Sequence, residues 1–386
     1  MQSANPAVHL KSVFLVTDKL GVGGAERSVV LLARMLHRRG IATSVLVMFE
    51  SGPYETLLRD EGISVIFLGF RSMRHITRDP INTLVAFLRL VFLLRRSRPD
   101  VVHAFLYYGY VICAPAARLA GVPVVVAGRR NLGYFKENRK KKALLAVERA
   151  ATRVTDMVIA NSKAVADVTL REEGVAPEKI AVIYNGLPPE AFDDASPAEI
   201  DTELPVVLCV ANLRHPKGHG YLLEAVALME ERGVSCTLLL VGDGADRTAL
   251  EEQARLLSAD IRFLGTRHDV SALLRRADVF VLPSLSESLS NALMEAMAAS
   301  VPAVATNSGG PSELLEGRGV IVPPGDCVAL ADALAGVLKD REHARGLADK
   351  AQTWARTHLT LDAMVDRYVE AYQEIFRRKR SRRPSR

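Results

Sequence analysis

Cysteine and aromatic residues are scarce in this chain of 386 residues, which has four cysteines and 6% aromatic residues. The cysteines are Cys113, Cys209, Cys236 and Cys327, and no two of them form a C-x-x-C pair. Each lies among apolar neighbours, which argues against a disulfide framework and against a cysteine zinc site. We therefore expect reduced thiols and a cytoplasmic protein.

Long hydrophobic runs are also lacking. The longest apolar run with helical character extends from Ile81 to Leu94 and contains Arg89. It is shorter than the roughly 20 residues that a membrane-spanning helix needs. The segment from Met1 to Val8 lacks the charged start and apolar core of a signal peptide. These absences predict a protein that is not integral to a membrane.

Neither sign of charge dominates, since 50 Lys and Arg residues face 44 Asp and Glu residues, a net charge of +6. This small excess does not indicate a nucleic-acid partner. The sequence contains no D-x-D pair, so a divalent metal that holds a diphosphate has no evident ligand. We therefore expect no metal and no resident cofactor.

What the chain does contain is a regular alternation of short apolar runs and helix-period segments, typical of parallel sheets covered by helices. The length predicts two or three domains. Two such series occur, and the stretch between them is acidic and bears prolines, as linkers do. The predicted fold class is α/β, with two doubly wound Rossmann-like domains facing across a cleft. The expected parts are an N-terminal domain (1–190) completed by a C-terminal helix (361–376), a linker (191–205), a second domain (206–358) and a basic tail (377–386).

A glycine-rich loop, Gly21 to Arg27, lies between the first predicted strand and helix. Glycines allow a ligand to approach the backbone, and a helix N-terminus favours an anion. The loop is not a dinucleotide fingerprint, because Glu26 occupies the place of the third glycine. A tight turn that only packs on the sheet is an equally good interpretation.

Two loops of the second series carry more chemistry. The loop from Ala211 to His219 places Arg214 and Lys217 near a helix start, as a phosphate clamp requires, although solvated basic loops are common. The segment from Pro283 to Met297 has Ser290 as a candidate N-cap. Its two carboxylates, Glu287 and Glu295, can accept hydrogen bonds from sugar and ribose hydroxyls. Glu295 could also be an ordinary surface residue.

Two further features are ambiguous. The glycine-proline turn from Asn307 to Glu313 could present amides to an anion or be a plain turn. His103 ends a predicted strand, where ligands bind, but a lone histidine among apolar residues is more often part of a core.

These motifs, in this order, resemble the retaining family-4 glycosyltransferases of the GT-B fold, over nearly the whole chain. The resemblance implies that the second domain binds a nucleotide-sugar and the first binds the acceptor. It implies roles for the following residues. Lys217 would contact the donor diphosphate, Glu287 with Ser288, Leu289, Ser290 and Asn291 would hold sugar and phosphate, Glu295 would bind the ribose, Arg267 would border the base, and Gly23 and Gly24 would approach the diphosphate.

The sequence departs from the family pattern at two places. Asn212 stands where many members have an arginine, so Arg214 is expected to serve the phosphate from a shifted position. The histidine that many members have after the strand at 122–127 is missing, and Arg129 and Arg130 stand there. Cations can stabilise a leaving diphosphate electrostatically, and we list Arg130 with Lys217, Glu287 and Arg214 as candidate catalytic residues. An alternative is that these arginines contact an anionic acceptor.

Positive charge is concentrated from Arg129 to Lys142 and from Arg377 to Arg386, with seven basic residues in each stretch. Such stretches can dock on an anionic membrane leaflet, which would give access to a lipid-linked acceptor. The alternative is a solubilising tail and a solvated loop. We therefore expect a cytoplasmic protein that can be peripheral on the inner face of the plasma membrane.

The function that the resemblance implies is that of a metal-independent hexosyltransferase, expected to move a sugar, with retention, from a UDP- or GDP-linked donor to a glycan or lipid-linked acceptor in cell-envelope or polysaccharide biosynthesis. Two alternatives remain at this point: a catalytically impaired homologue that acts as a scaffold, and a dinucleotide-dependent dehydrogenase. The dehydrogenase predicts a G-x-G-x-x-G turn that the sequence lacks.

Overall fold

The computed structural model describes residues 10–21, 23–71, 79–132 and 141–381, except for the side chains of 141–144, 380 and 381. The chain divides into two compact units. Unit 1 runs up to Gly186 and resumes at Leu361, and unit 2 is Leu187–Thr360.

Unit 1, over its described ranges, has one parallel sheet of seven strands in the order β3-β2-β1-β4-β5-β6-β7. The strands are β1 (Ser12–Lys19), β2 (Ala42–Glu50), β3 (Ser64–Phe67), β4 (Val101–Phe105), β5 (Val124–Arg129), β6 (Met157–Ala160) and β7 (Ile180–Val182). The connecting helices are α1 (Gly24–Arg38), α2 (Tyr54–Asp60), α3 (Pro80–Ser97), α4 (Tyr107–Leu119), α5 (Lys141–Arg153) and α6 (Lys163–Glu173). The direction of winding reverses between β1 and β4, which makes the sheet doubly wound, as the sequence predicts.

Strand β1 shows why these apolar runs form a central sheet. Val13 and Leu15 belong to the core on one face, while Phe14 and Val16 belong to the core on the other. Successive side chains of a strand point to opposite faces, so a strand covered on both faces must be apolar throughout.

Unit 2 has a parallel sheet of six strands, among the described residues, in the order β10-β9-β8-β11-β12-β13. The strands are β8 (Val206–Val210), β9 (Thr237–Val241), β10 (Asp260–Gly265), β11 (Val279–Leu282), β12 (Ala303–Thr306) and β13 (Val320–Val322). The helices are α7 (His219–Glu231), α8 (Arg247–Arg255), α9 (Val270–Arg276), α10 (Asn291–Ala298), α11 (Gly310–Leu315), α12 (Cys327–Lys339) and α13 (Arg341–His358). Helix α11 begins within the glycine-proline segment that the sequence left open between a plain turn and one presenting amides to an anion. Six residues are too few for a helical period to show in the sequence.

The segment predicted to be a linker at 191–205 instead packs on unit 2. The ring of Phe192 is buried beneath the guanidinium of Arg356, 5.4 Å from the ring centroid. The backbone N–H of Ala198 donates to the carbonyl oxygen of Ala272 over 2.9 Å. Proline and acidic residues suggested a solvated chain, but these contacts give its backbone and its aromatic ring partners. The first unit therefore ends at Gly186 rather than at 190.

The last helix, α14 (Leu361–Ser381), belongs to unit 1, as the family resemblance implies. Its residues Met364, Val365, Tyr368 and Tyr372 lie in the same core cluster as Leu15 of β1. In the parts of the chain that the structure describes, no helix combines the length and apolar character that crossing a membrane requires.

Candidate functional site

The point where the winding reverses in unit 2 lies between β8 and β11, which pair in parallel with Val207 opposite Val279. The loops that follow these two strands leave the same edge of the sheet. Ligands of doubly wound folds bind at such a point. The loop after β8 carries Lys217 and the loop after β11 carries Glu287, so the topology alone places the two predicted residues near each other.

Lys217 and Glu287 form an ion pair between Nζ and Oε2. A short 3₁₀-helix, His215–Lys217, precedes α7 and positions the lysine. The Glu287 residue is only 8% exposed, and the Lys217 side chain is 27% exposed. The pair thus combines a sheltered carboxylate, which accepts hydrogen bonds, with a cation that solvent and an anionic ligand can reach.

Gly218 allows these two loops to meet. Its backbone is left-handed, with φ of 70°, and a Cβ atom here would stand closer than 3.0 Å to the carbonyl oxygen of Pro283. The backbone N–H of Leu285 donates to the carbonyl oxygen of Pro216 over 2.9 Å. A glycine is therefore required for both conformation and space at this crossing.

The loop after β12 joins the same site. The backbone N–H of Glu287 donates to the carbonyl oxygen of Ser308, and the N–H of Gly310 donates to the carbonyl oxygen of Glu287, both over 3.0 Å. A Cβ atom on Gly310 would stand closer than 3.0 Å to the carbonyl oxygen of Ser288. The turn from Asn307 onwards, ambiguous in the sequence, thus fixes the backbone on both sides of Glu287.

Helix α10 begins next to this carboxylate. The hydroxyl of Ser290 accepts a hydrogen bond from the backbone N–H of Leu293 over 3.2 Å, which confirms the predicted N-cap. Leu289 and Ser290 are buried, and Glu295 is half-buried one turn into the helix. Ser288 and Asn291, which flank the cap, are half-buried. Contacts of these residues with sugar, phosphate or ribose stay predictions.

The two predicted arginines of unit 2 differ in their surroundings. Arg214 is exposed just before the 3₁₀-helix, and within the described ranges its guanidinium has no carboxylate partner. Arg267 is engaged by Asp269, with 2.8 Å from Nε to Oδ1 and 2.6 Å from Nη2 to Oδ2. Arg214 is therefore the more available of the two for an anionic ligand.

Two buried polar groups at this edge were not assigned a role from the sequence. The hydroxyl of Ser284, fully buried, and Nδ1 of His219 lack hydrogen-bond partners in the described part of the chain. Burial, reinforced by the charge of Lys217 and opposed by Asp246, lowers the pKa of His219 to about 4. The imidazole is therefore neutral near pH 7, beside the Lys217 cation.

In unit 1 the reversal lies between β1 and β4, and Asp18 of β1 occupies it. The Asp18 carboxylate accepts a hydrogen bond from the backbone N–H of Gly109 over 3.1 Å. Burial, with a smaller contribution from Glu26, raises the pKa of Asp18 to about 7, against the opposing effects of Gly109 and Lys19. Sequence reasoning missed Asp18, although its place directly after an apolar run was a usable signal.

The predicted glycine loop of unit 1 follows Asp18. Gly23 caps α1 without a side-chain hydrogen bond, and Gly24 is the first residue of the helix. The backbone N–H of Arg27 donates to the carbonyl oxygen of Gly23 over 2.9 Å, and Glu26 is buried. Val22 lies outside the described residues. The proposed approach of this loop to a donor diphosphate stays a prediction.

Arg129 and Arg130, expected to contribute to an exposed basic stretch, are buried instead. Arg129 forms an ion pair with Glu173, 2.8 Å from Nη2 to Oε2, and its guanidinium lies 3.5 Å from the ring centroid of Tyr110. Nη1 of Arg130 donates to the side-chain oxygen of Asn185 over 2.6 Å. These two residues therefore do not form part of a membrane-facing patch. Residues 133–140 and 382–386 of the basic stretches lie outside the described residues.

Arg130 also connects β5 to the last helix, since its Nη2 donates to the hydroxyl of Tyr368 over 3.2 Å. His103 is fully buried nearby, with Nδ1 2.7 Å from the hydroxyl of Tyr372. Burial, with a smaller effect of Arg130, holds the pKa of His103 well below its usual value. His103 is thus a neutral core histidine, the commoner of the two interpretations. A catalytic role for Arg130 stays a prediction.

Two models of known protein families match this chain. Residues 22–191 match the family model described as Glycosyltransferase Family 4, and residues 204–340 match Glycosyl transferases group 1. A lipopolysaccharide core biosynthesis glycosyltransferase, LpsE of Rhizobium meliloti, is 28% identical over 361 residues, 90% of this chain and 95% of the relative.

A UDP-Gal:alpha-D-GlcNAc-diphosphoundecaprenol alpha-1,3-galactosyltransferase of Escherichia coli is 28% identical over 313 residues, 77% of this chain and 80% of the relative. Among solved structures, Anabaena Alr3699/HepE in complex with UDP superposes with a TM-score of 0.79 at 23% identity, over 94% of this chain and 100% of that one. That likeness supports the fold, and it agrees with the two doubly wound sheets described above. The chain belongs to the family-4-like glycosyltransferases of the GT-B fold.

Proposed function

We propose that the protein is a retaining, metal-independent hexosyltransferase that takes its sugar from a UDP- or GDP-linked donor and binds that donor on unit 2. The observation that carries the proposal is the Lys217–Glu287 pair at the β8/β11 reversal. A nucleotide-sugar presents an anionic diphosphate beside a sugar rich in hydroxyl donors. A reachable ammonium and a sheltered carboxylate complement those two chemical groups.

In this proposal Lys217 stabilises the negative charge that develops on the leaving diphosphate. Arg214, exposed one 3₁₀-turn earlier, adds a second cation, and the N-terminus of α10 adds a favourable dipole. Glu287 holds the sugar hydroxyls, and Glu295 binds the ribose. Retention requires the acceptor hydroxyl to attack on the face that the diphosphate leaves, which needs positioning but no enzyme nucleophile.

The acceptor in this proposal is a glycan or a lipid-linked sugar of cell-envelope or polysaccharide biosynthesis. The names of the two relatives support this class, since one acts in lipopolysaccharide core synthesis and the other on a diphosphoundecaprenol-linked sugar. The name of the galactosyltransferase also makes uridine the first base to test. A peripheral location at the membrane belongs to the same proposal.

The first experiment measures thermal stabilisation by UDP, GDP and ADP and by their sugars. A nucleotide at 100 times its Kd should add about 2.7 kcal/mol to the free energy of unfolding. The preferred donor is then incubated with lipid-linked acceptors, and NMR of the product reports the anomeric configuration. Retention of the donor configuration is expected, and inversion would refute the retaining mechanism.

The matched variants are Glu287→Gln and Glu316→Gln, the second being exposed on the same unit. Glu287→Gln should lower kcat by about 100-fold or more, as loss of a group at the reacting centre does, whereas Glu316→Gln should match wild type. If nucleotides bind tightly but neither transfer nor donor hydrolysis occurs, the protein is the binding homologue without catalysis. If none of the nucleotides stabilises it, the donor site is wrongly placed.

A further inference from the structure

Helix α3 of unit 1 exposes a row of large apolar side chains that no part of the proposed donor site uses. Ile81 is 77% exposed and Phe92 is 67% exposed. The five members of this row, which we call the α3 stripe, are Ile81, Leu84, Val85, Leu88 and Phe92. Contiguous exposed apolar surfaces often mark interaction sites.

The α3 stripe lies on one face of the helix. At 3.6 residues per turn, its members fall within an arc of about 100°. The opposite face buries Ala86, Leu90 and Leu94 in a core of unit 1. The helix therefore has two apolar faces, of which one packs on the sheet and the other faces outward.

All the charged residues of α3 are positive. The sequence of α3 contains Arg89, Arg95 and Arg96 and no acidic residue. At about 100° per residue, Arg89 and Arg96 lie about 70–90° from the centre of the stripe, both on the same side, and Arg95 lies within its arc near the C-terminal end of the helix. Asp79, just before the helix, is already engaged as its N-cap and by Arg71 at 3.1 Å. The exposed side of α3 is thus apolar, with arginines along one edge and at its C-terminal end.

Further cations continue from the C-terminal end of α3. Nη2 of Arg95 donates to the carbonyl oxygen of Leu119, an exposed apolar residue at the end of α4, over 3.0 Å. Arg118, the residue before Leu119, lines a cavity of about 500 Å³. The basic residues that line the cavity are Arg118, Arg153, Lys179, Arg378 and Lys379. Of these, Arg118 and Lys379 pair with Asp156, and Arg378 pairs with Glu374.

We propose that the α3 stripe is a docking surface for the headgroup region of an anionic phospholipid bilayer. Helices with an apolar face and basic residues beside it lie in the plane of a membrane, with the apolar side chains buried at the headgroup boundary. Pairing with a second copy of the chain fits less well, because it would bring the arginines of two α3 helices together with no acid on α3 to offset them. Only the purpose of this surface, access to a lipid-linked acceptor, rests on the proposed function.

The test is sedimentation of the full chain with vesicles of mixed phosphatidylglycerol and phosphatidylcholine, and with vesicles of phosphatidylcholine alone. Wild type should bind the anionic vesicles more tightly, and added salt should weaken this binding. The variant Leu84→Gln/Leu88→Gln/Phe92→Gln should lose at least tenfold in affinity. Its control is Leu256→Gln on unit 2, where an 87% exposed leucine is removed and no change is expected.

The contribution of charge is tested with Arg89→Gln/Arg96→Gln, whose affinity for anionic vesicles should fall roughly fivefold for each arginine removed. The control is Arg345→Gln, at an exposed position on unit 2, which should bind as wild type does. All changed residues are exposed, so circular dichroism and Tm should match wild type. Equal binding to both vesicle types, or unchanged binding by the stripe variant, would overturn the proposal. So would a wild-type dimer that the stripe variant converts to a monomer.

Vesicle binding uses neither donor nor acceptor, which separates this proposal from the function. Failure to bind vesicles would overturn the docking surface and the peripheral location, and would leave glycosyl transfer to a soluble acceptor untouched. Conversely, a protein that binds anionic vesicles through the α3 stripe but transfers no sugar would refute the function alone.

Discussion

The backbone at Gly218 passes so close to Pro283 that a Cβ atom on the glycine would stand within 3.0 Å of the proline carbonyl oxygen. The crossing holds together the loops that carry Lys217 and Glu287. Since the two loops follow different strands, the distance between the charged groups depends on this backbone contact.

The first prediction concerns that crossing. Gly218→Ala adds a methyl group both to a left-handed backbone and against Pro283, so the loops must separate. Gly310→Ala tests the same effect at Ser288. Both variants should lose at least tenfold in affinity for the donor nucleotide, measured by calorimetry. Gly336→Ala, inside α12 with open space around its Cβ position, is the control and should bind normally. Normal donor affinity in both loop variants would contradict the assigned site.

The second prediction concerns the energy of the ion pair. Lys217→Met leaves the largely buried Glu287 carboxylate without its cation, and should lower the free energy of unfolding by about 1–3 kcal/mol, given the partial exposure of the lysine. Glu287→Gln in the same chain should restore part of that loss, which a double-mutant cycle in urea measures. The exposed pair Arg267 and Asp269 serves as control and should show no measurable coupling. Additive effects of Lys217→Met and Glu287→Gln would show that the pair contributes nothing to stability.

The third prediction uses the raised pKa of Asp18, about 7 against 3.8 for a free aspartate. Between these values the folded protein keeps the proton and the unfolded chain has lost it, so the free energy of unfolding falls as the pH rises from about 4 to about 7. Asp18→Asn carries no such charge. Relative to wild type it should therefore become more stable with rising pH, by on the order of 3–4 kcal/mol at pH 8 compared with pH 4.

Urea unfolding at the two pH values measures this difference. The matched control is Asp60→Asn, an exposed residue at the end of α2 in the same unit. It should change the free energy of unfolding by the same small amount at both pH values. A pH-independent effect of Asp18→Asn would show that the carboxyl group is ionised in the folded protein.

The fold was largely predictable from the sequence, because central parallel strands are apolar on both faces and the helices between them have a clear period. For unit 2, the sequence indicated which loops carry charged residues but not how those residues contact each other. Lys217 and Glu287 are 70 residues apart, and only the order of the strands brings β8 and β11 together. Their direct pairing is a property of side chains that no spacing in the sequence records.

Composition misled at two places, and for a physical reason in each. The acidic, proline-bearing segment at 191–205 suggested a linker. Its backbone carbonyl groups, however, accept hydrogen bonds from arginines of unit 2. Nη2 of Arg275 donates to the carbonyl oxygen of Asp193 over 2.7 Å, and Nη1 of Arg262 donates to that of Asp201 over 3.0 Å. Likewise, the basic stretch from Arg129 to Lys142 suggests a solvated surface, yet Arg129 and Arg130 have hydrogen-bond partners inside unit 1.

The fourth prediction follows from one of those partners. Arg129 and Glu173 are both buried, and Thr152 completes the cluster, 2.8 Å from Nη2 of the arginine. Arg129→Met removes one charge and leaves the Glu173 carboxylate uncompensated, which should cost about 3–5 kcal/mol in the free energy of unfolding. Arg129→Met/Glu173→Leu removes both charges and should be more stable than the single variant. Arg153→Met, at the exposed end of α5, should change the free energy of unfolding by no more than about 0.5 kcal/mol.

Chemical denaturation of wild type and these three variants distinguishes a buried from a surface arginine at position 129. A buried ion pair predicts a large loss for the single variant and a smaller one for the double variant. An arginine that faced an anionic surface would instead give a small loss of stability and a weaker affinity for anionic vesicles. Because Arg129 stacks on Tyr110 and bonds to Glu173, we expect its replacement to affect unfolding and to leave vesicle affinity unchanged at temperatures where the variant is folded.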